Sequence, residues 1–159
     1  MTWNFFARWG ACLVLLVQIS GCALPGFLSF KGTKLGWLDV TLSATPDANQ
    51  NSPIAVDVVL VFDDEMLARL VELPAAKWFA ARADLRKTFP KSLSYRTWEL
   101  VPGQTIKVPG ESFGSPRVVG VLIYADYAIP GAHRVRVEAL KDALLVRFDK
   151  QTFDASAEQ

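Results

Sequence analysis

The chain has 159 residues, 51% of them hydrophobic, with 17 lysines and arginines against 16 aspartates and glutamates. That length suits one compact domain with its own core, and the charge balance excludes the basic excess that nucleic-acid binders carry. A single histidine, His133, and two cysteines, Cys12 and Cys22, leave little material for a metal site.

Near the start, Arg8 is the one charged side chain ahead of an apolar run over residues 11–19 (ACLVLLVQI). A positive leader, a short apolar stretch and small residues at its end form the pattern of a secretory signal. The run is too short for a membrane span, which needs about 20 apolar residues. Ile19-Ser20-Gly21-Cys22 resembles the lipobox of bacterial lipoproteins. The resemblance implies that residues 1–21 are cleaved, that Cys22 carries a thioether-linked diacylglyceryl group, and that its new amino terminus is acylated, for example with palmitate. Two or three acyl chains hold a protein durably where one does not. An Asp after the cysteine tends to retain such proteins at the inner membrane. Here Ala23 follows, which implies the periplasmic face of the outer membrane. Cys12 would leave with the signal and Cys22 would be taken by lipid, so no disulfide is expected in the mature chain.

Residues 22–36 are Gly-rich and lack a sustained period, so they are expected to form a tether. The domain is expected over residues 37–150, with a tail at 151–159. It begins with alternation of Leu38, Val40, Leu42 and Ala44 against Asp39, Thr41 and Ser43, which predicts a half-buried strand. A turn-rich stretch follows at residues 45–53 (TPDANQNSP). Residues 54–62 (IAVDVVLVF) are apolar at nearly every position and rich in β-branched side chains, which predicts a strand covered on both faces.

Asp63 and Asp64 then cap an expected helix whose Met66, Leu67, Leu70 and Val71 share one face. Pro74 ends it and suits the start of a second helix, with Trp78, Phe79 and Leu85 as its apolar contacts. Further strands are predicted at residues 95–101, 104–108, 117–127, 133–140 and 144–149, the first two divided by a Pro-Gly turn at 102–103. Seven short strands between turn signals predict a mainly β, two-sheet β-sandwich with a helical insertion between the second and third strands.

Candidate chemistry is sparse. Gly110-Glu111-Ser112-Phe113-Gly114 matches G-x-S-x-G, with Asp126 and His133 downstream in the chain order of a hydrolase triad. That mechanism needs a strand, a sharp turn and a helix around the serine, whereas Pro116 and an apolar strand follow here. No catalytic residue is therefore assigned. The acidic cluster 63–65 lacks the loop spacing and glycine of an EF-hand and suits a helix N-terminus, so no metal or cofactor is expected beyond the lipid on Cys22. Arg82, Arg86, Lys87 and Lys91 lie near the end of the second helix, where cations are favourable for local reasons but also suit an acidic partner. Tyr95 and Trp98 are of the type that stacks on sugars.

An anchored sandwich without a catalytic constellation reads as a binding or assembly part. The lipobox, the first strand WLDVTLSA, the Asn-containing turn before NSPIAVDVVLVF, the helical insertion, ELVPGQTIKV, and VVGVLIYADY followed by HRVRV together resemble the outer-membrane lipoprotein of the type VI secretion system, the TssJ (SciN) family. The resemblance implies a transthyretin-like sandwich and a structural role in the envelope-spanning complex. The implied partner is TssM, the large IcmF-like inner-membrane protein. It also implies that the loop joining the first two strands touches the partner, which here points to Asp47, Asn49, Gln50 and Asn51. The usual Leu-Asn-Pro of that loop is replaced by Ala44-Thr45-Pro46-Asp47. The residues leave two other readings open: a lipoprotein binding carbohydrate or peptidoglycan, which a solvent-facing aromatic row would favour, and a small serine hydrolase around Ser112.

Overall fold

The computed structural model describes residues 32–158; Cys22 and the expected signal lie outside them. Among the described residues, ten strands and two α-helices run in the order β1 (Thr33–Lys34), β2 (Gly36–Ala44), β3 (Ile54–Val61), α1 (Asp64–Leu70), α2 (Ala75–Thr88), β4 (Leu93–Leu100), β5 (Thr105–Pro109), β6 (Arg117–Val118), β7 (Gly120–Ala125), β8 (Arg134–Arg136), β9 (Lys141–Phe148) and β10 (Phe153–Ala157). One four-stranded sheet has the order β10-β9-β2-β5 and the other β4-β3-β7-β8, with β1 and β6 pairing separately. Every pairing is antiparallel except β2 with β9. The expected mainly β, two-sheet sandwich with helices between its second and third long strands is the observed architecture.

Several boundaries differ from the sequence reading. The expected tether over 22–36 gives up its last residues to the domain: Leu35 is buried and donates its N–H to the Pro116 carbonyl at 2.8 Å. The expected tail holds β10, which extends the first sheet beyond β9 and buries Phe153 against Phe148. Its alternation is weak in sequence, so its strand character comes from β9 beside it. Residues 117–127 split because β6 pairs with β1 while β7 pairs with β3. Of 133–140 only Arg134–Arg136 is strand.

Burial of β3 on both faces explains its continuous apolar character. Val56, Val58 and Leu60 face the first sheet, meeting Val40, Leu42, Val146 and Phe148 in one core. Val59 and Val61 face the helices, with Met66, Leu67, Leu70 and Trp78 in a second. Asp63 caps α1 as expected, its Oδ1 accepting the Met66 N–H at 2.8 Å. Hydrogen bonds from the Ser92 side chain and the Met66 amide hold its carboxyl below the ordinary carboxylate range. Gly120 lets α1 approach the sheet, since a Cβ there would stand 2.7 Å from Leu67 Cδ1.

One residue of β3 breaks its apolar run. Asp57 is fully buried, a placement that a carboxylate tolerates only when paired and hydrogen-bonded. Its Oδ2 accepts the Trp78 indole N–H at 2.8 Å, and its Oδ1 accepts the Thr97 hydroxyl at 2.7 Å. Arg82 Nη1 reaches both oxygens, at 2.8 and 2.7 Å. Trp78 stacks on Tyr124 at 4.9 Å and meets Tyr95 edge-on, while the Tyr124 hydroxyl donates to the Leu70 carbonyl at 2.6 Å. The carboxylate thus ties α2, β3 and β4 together, and Tyr124 adds β7 and α1.

Removing one partner of a buried ion pair strands the other, at about 3–5 kcal/mol, whereas exposed pairs contribute about 1 kcal/mol or less. Arg82→Ala is therefore expected to lower the urea-unfolding free energy by about 3 kcal/mol or more. Lys107→Ala, which removes the outlying 3.1 Å pair with Asp39, should change it by under about 1 kcal/mol. Equal effects would show that Asp57 does not depend on Arg82.

Candidate functional site

The loop between β2 and β3 is built around Asn49. Asn49, Gln50 and Asn51 have φ of 47°, 57° and 63°, three successive residues in the left-handed region. L-residues normally visit that region singly, at roughly 1–2 kcal/mol each, with Asn the best tolerated. The run forms a short left-handed turn, closed by the Ser52 N–H on the Asn49 carbonyl at 3.1 Å. Asn49 holds it in place. It is buried, its Nδ2 donates to the Pro53 carbonyl at 2.8 Å and its Oδ1 accepts the Ala128 N–H at 2.8 Å. Its own N–H reaches the Asp149 carbonyl at 3.3 Å.

Neighbouring loops join the same end of the sandwich. Gly103 N–H donates to the Thr45 carbonyl at 3.0 Å and Thr45 N–H to the Phe148 carbonyl at 2.9 Å. The Tyr127 hydroxyl donates to the Thr152 carbonyl at 2.5 Å and lies 3.1 Å from that of Asp149. Burial, and next the charge of Asp149, push the Tyr127 phenol above its ordinary pKa, so it stays a neutral donor. The Thr45 hydroxyl donates to Asp47 Oδ1 at 2.9 Å.

Of the four residues expected to touch a partner, Asp47, Gln50 and Asn51 are exposed, and Asn49 is not. Asn49 is corrected from a contact to an anchor: its side chain is spent on Pro53 and Ala128. Val101, 52% exposed, lies in the adjoining β4–β5 turn, an apolar neighbour that sequence reasoning missed because nothing local links it to residue 50. The signal for Asn49 was present in the run Asn49-Gln50-Asn51, since side chains that tolerate left-handed backbone cluster in turns.

The other candidates separate. Ser112 lies in the one-turn 3-10 segment Gly110–Phe113 after β5, followed by β6 and not by a helix. That turn abuts the start of β2, where a Cβ on Gly110 would stand 1.8 Å from the Trp37 carbonyl oxygen. His133 lies at the other end of the sandwich, its carbonyl accepting the Ala125 N–H and its Nε2 bonded to the Ile129 carbonyl at 2.9 Å. The G-x-S-x-G string therefore does not assemble a triad. Trp98 packs against the inter-sheet core and Tyr95 sits between Trp78 and Arg82, so no solvent-facing aromatic row exists among the described residues. Among them no cluster of His, Cys, Asp or Glu suits a metal ion, and no helix is long and apolar enough to cross a membrane.

Solved structures of type VI secretion lipoproteins have this fold. The chain is similar to the lipoprotein TssJ1 from Pseudomonas aeruginosa, at 15% identity and a TM-score of 0.55, over 80% of this chain and 98% of that one. It is similar to Serratia marcescens Lip, a membrane-bound component of the type VI secretion system, at 14% identity and a TM-score of 0.54, over 76% and 96% of the two chains. A chain of a type VI membrane complex matches at 13% identity and a TM-score of 0.56, over 75% of this chain and 96% of that chain. No protein-family model and no curated protein matches the sequence. The fold is thus the TssJ fold, carried by a sequence far from those of its structural neighbours.

Asn49→Ala is expected to destabilise the domain by about 2–3 kcal/mol, because it orphans the Ala128 N–H and the Pro53 carbonyl, at about 1–3 kcal/mol for each buried group. Asn51→Ala, on an exposed side chain, should cost under about 1 kcal/mol. Thermal unfolding of the two variants separates anchor from tip; an Asn49→Ala midpoint equal to that of Asn51→Ala would contradict the anchor role.

Proposed function

We propose that this protein is a divergent TssJ-type lipoprotein, anchored through lipid on Cys22 to the periplasmic face of the outer membrane. In this reading it is a structural part of a type VI secretion membrane complex and not an enzyme. It binds the periplasmic region of a TssM (IcmF-like) inner-membrane protein through the 45–53 loop. One observation carries the reading: on a fold shared with type VI secretion lipoproteins, that loop is a preformed left-handed turn presenting Asp47, Gln50 and Asn51 to solvent.

A loop fixed before binding loses little conformational entropy on docking, which is where preorganised surfaces gain affinity. The turn is strained at Gln50 and held by Asn49, so its shape is specified by the scaffold. Strain retained at an exposed loop is a mark of function. The separation of Ser112 from His133 argues against a hydrolase, and the packing of Trp98 and Tyr95 argues against a sugar platform.

Asp47→Ala, Gln50→Ala and Asn51→Ala combined should keep the fold, because all three side chains are exposed. Affinity for the periplasmic region of TssM, measured by calorimetry, should fall at least tenfold. Unchanged affinity places the contact elsewhere. Separately, Cys22→Ser is expected to abolish incorporation of radiolabelled palmitate and to release the chain from membranes or leave its precursor uncleaved; undiminished labelling excludes Cys22 as the lipid site.

A further inference from the structure

A second surface runs along β4, from Leu93 at the end of the sandwich away from the 45–53 loop to Leu100, which pairs with Ile54 beside that loop. Among the described residues, β4 is an edge strand of its sheet with no strand beyond it. It has eight residues, against five each for the edge strands β5 and β10 and three for β8. Proteins usually shorten or cover such edges, because their unpaired backbone groups template another strand. The Phe62 N–H bonds the Ser92 carbonyl in register with the ladder that pairs Leu60 with Ser94 and Val58 with Arg96. Antiparallel alternation therefore turns the backbone groups of Leu93, Tyr95, Thr97 and Glu99 outward, to the open edge.

A groove runs around this edge, reaching Val58, Leu60 and Phe113 on the inter-sheet side and Arg86 and Tyr95 on the helix side. The charged side chains that line it, Arg86 and Arg96, are both cations. Between residues 83 and 99 the chain carries Arg86, Lys87, Lys91 and Arg96 against two carboxylates, Asp84 and Glu99. All four cations are exposed. Arg86 is held over the Tyr95 ring at 5.6 Å, while Arg96 shares the inter-sheet face with Val58. Two guanidiniums thus stand on opposite faces of one edge strand. A flat anionic surface would not need that arrangement, but an added strand, whose side chains alternate between the two faces, would meet both.

We propose that β4 is a docking edge for an extended acidic segment of a partner protein, which adds as a strand beside Leu93–Glu99. Its carboxylates pair with Arg86 and Arg96, and its apolar side chains enter beside Leu60 and Phe113. Backbone hydrogen bonds supply affinity in strand addition and the flanking side chains supply specificity. The 45–53 loop adjoins the far end of this strand but contributes no residue to the groove.

The test uses the full chain in neutral detergent and three fluorescein-labelled peptides: GEEVVEEVG, which as a strand carries Glu and Val on both faces, the same peptide N-methylated at its valines, and GKKVVKKVG. Fluorescence anisotropy should show saturable binding of the first. N-methylation, which removes strand hydrogen bonds while keeping charge, and lysine replacement should each weaken binding at least tenfold. Arg86→Gln with Arg96→Gln should do the same with an unchanged unfolding midpoint, and hydrogen exchange at residues 93–99 should slow with the first peptide alone. The Asp47, Gln50 and Asn51 variant should bind it as the parent does, so that failure of the loop reading leaves this one standing. Equal binding of the N-methylated peptide would overturn strand addition, as would absence of binding. Binding to phosphatidylglycerol vesicles that is lost in the arginine variants, without peptide binding, would overturn it in favour of a membrane contact.

Discussion

A single buried carboxylate organises one half of this molecule. Asp57 stands in the strand that both cores share, and its oxygens accept from Trp78, Thr97 and Arg82. A buried ion pair is weak evidence for net stability, because desolvation cancels much of the Coulomb gain. Its effect here is on geometry. Four donor contacts from α2 and β4 converge on one group of β3, so the helix pair has one well-satisfied seating on the sheet. Any slide of α2 along its axis separates Trp78 and Arg82 from the carboxylate together and removes three of its four donor contacts.

That constraint reaches both candidate surfaces. Seating α2 puts Arg82 and Arg86 over Tyr95, so the cations beside the β4 edge are positioned by the residue that fixes the helix. The α2 N-terminus is also tied to the β7–β8 loop, through the Ala75 N–H on the Ala132 carbonyl at 2.8 Å. That loop carries Ala128, the donor to Asn49. The 45–53 turn therefore rests on a loop anchored to the helices on one side and on β9 through Asp149 on the other.

Much of the architecture was legible because it follows from local rules. Alternation marked β2, the doubly covered run marked β3, and the Asp63 cap with Met66, Leu67 and Leu70 marked α1. What was hidden is non-local. The Phe153–Ala157 strand exists because β9 offers an edge, and the division between β6 and β7 exists because their partners lie in different sheets. The loop was legible only in outline. Polar residues in sequence do not reveal which of them turns inward, and Asn49 does so because a left-handed turn brings its amide between Pro53 and Ala128. Cys22 stands on its motif alone, outside the described residues.

The central claim is that the 45–53 turn is a rigid docking element for the periplasmic region of a TssM-like partner. Hydrogen–deuterium exchange of the full chain, with and without that region, tests it most directly. The account predicts that amides of residues 46–52 and of the adjoining 101–104 turn become more protected on binding, while β10 is unchanged. Complex formation with unaltered exchange at 46–52 would contradict it.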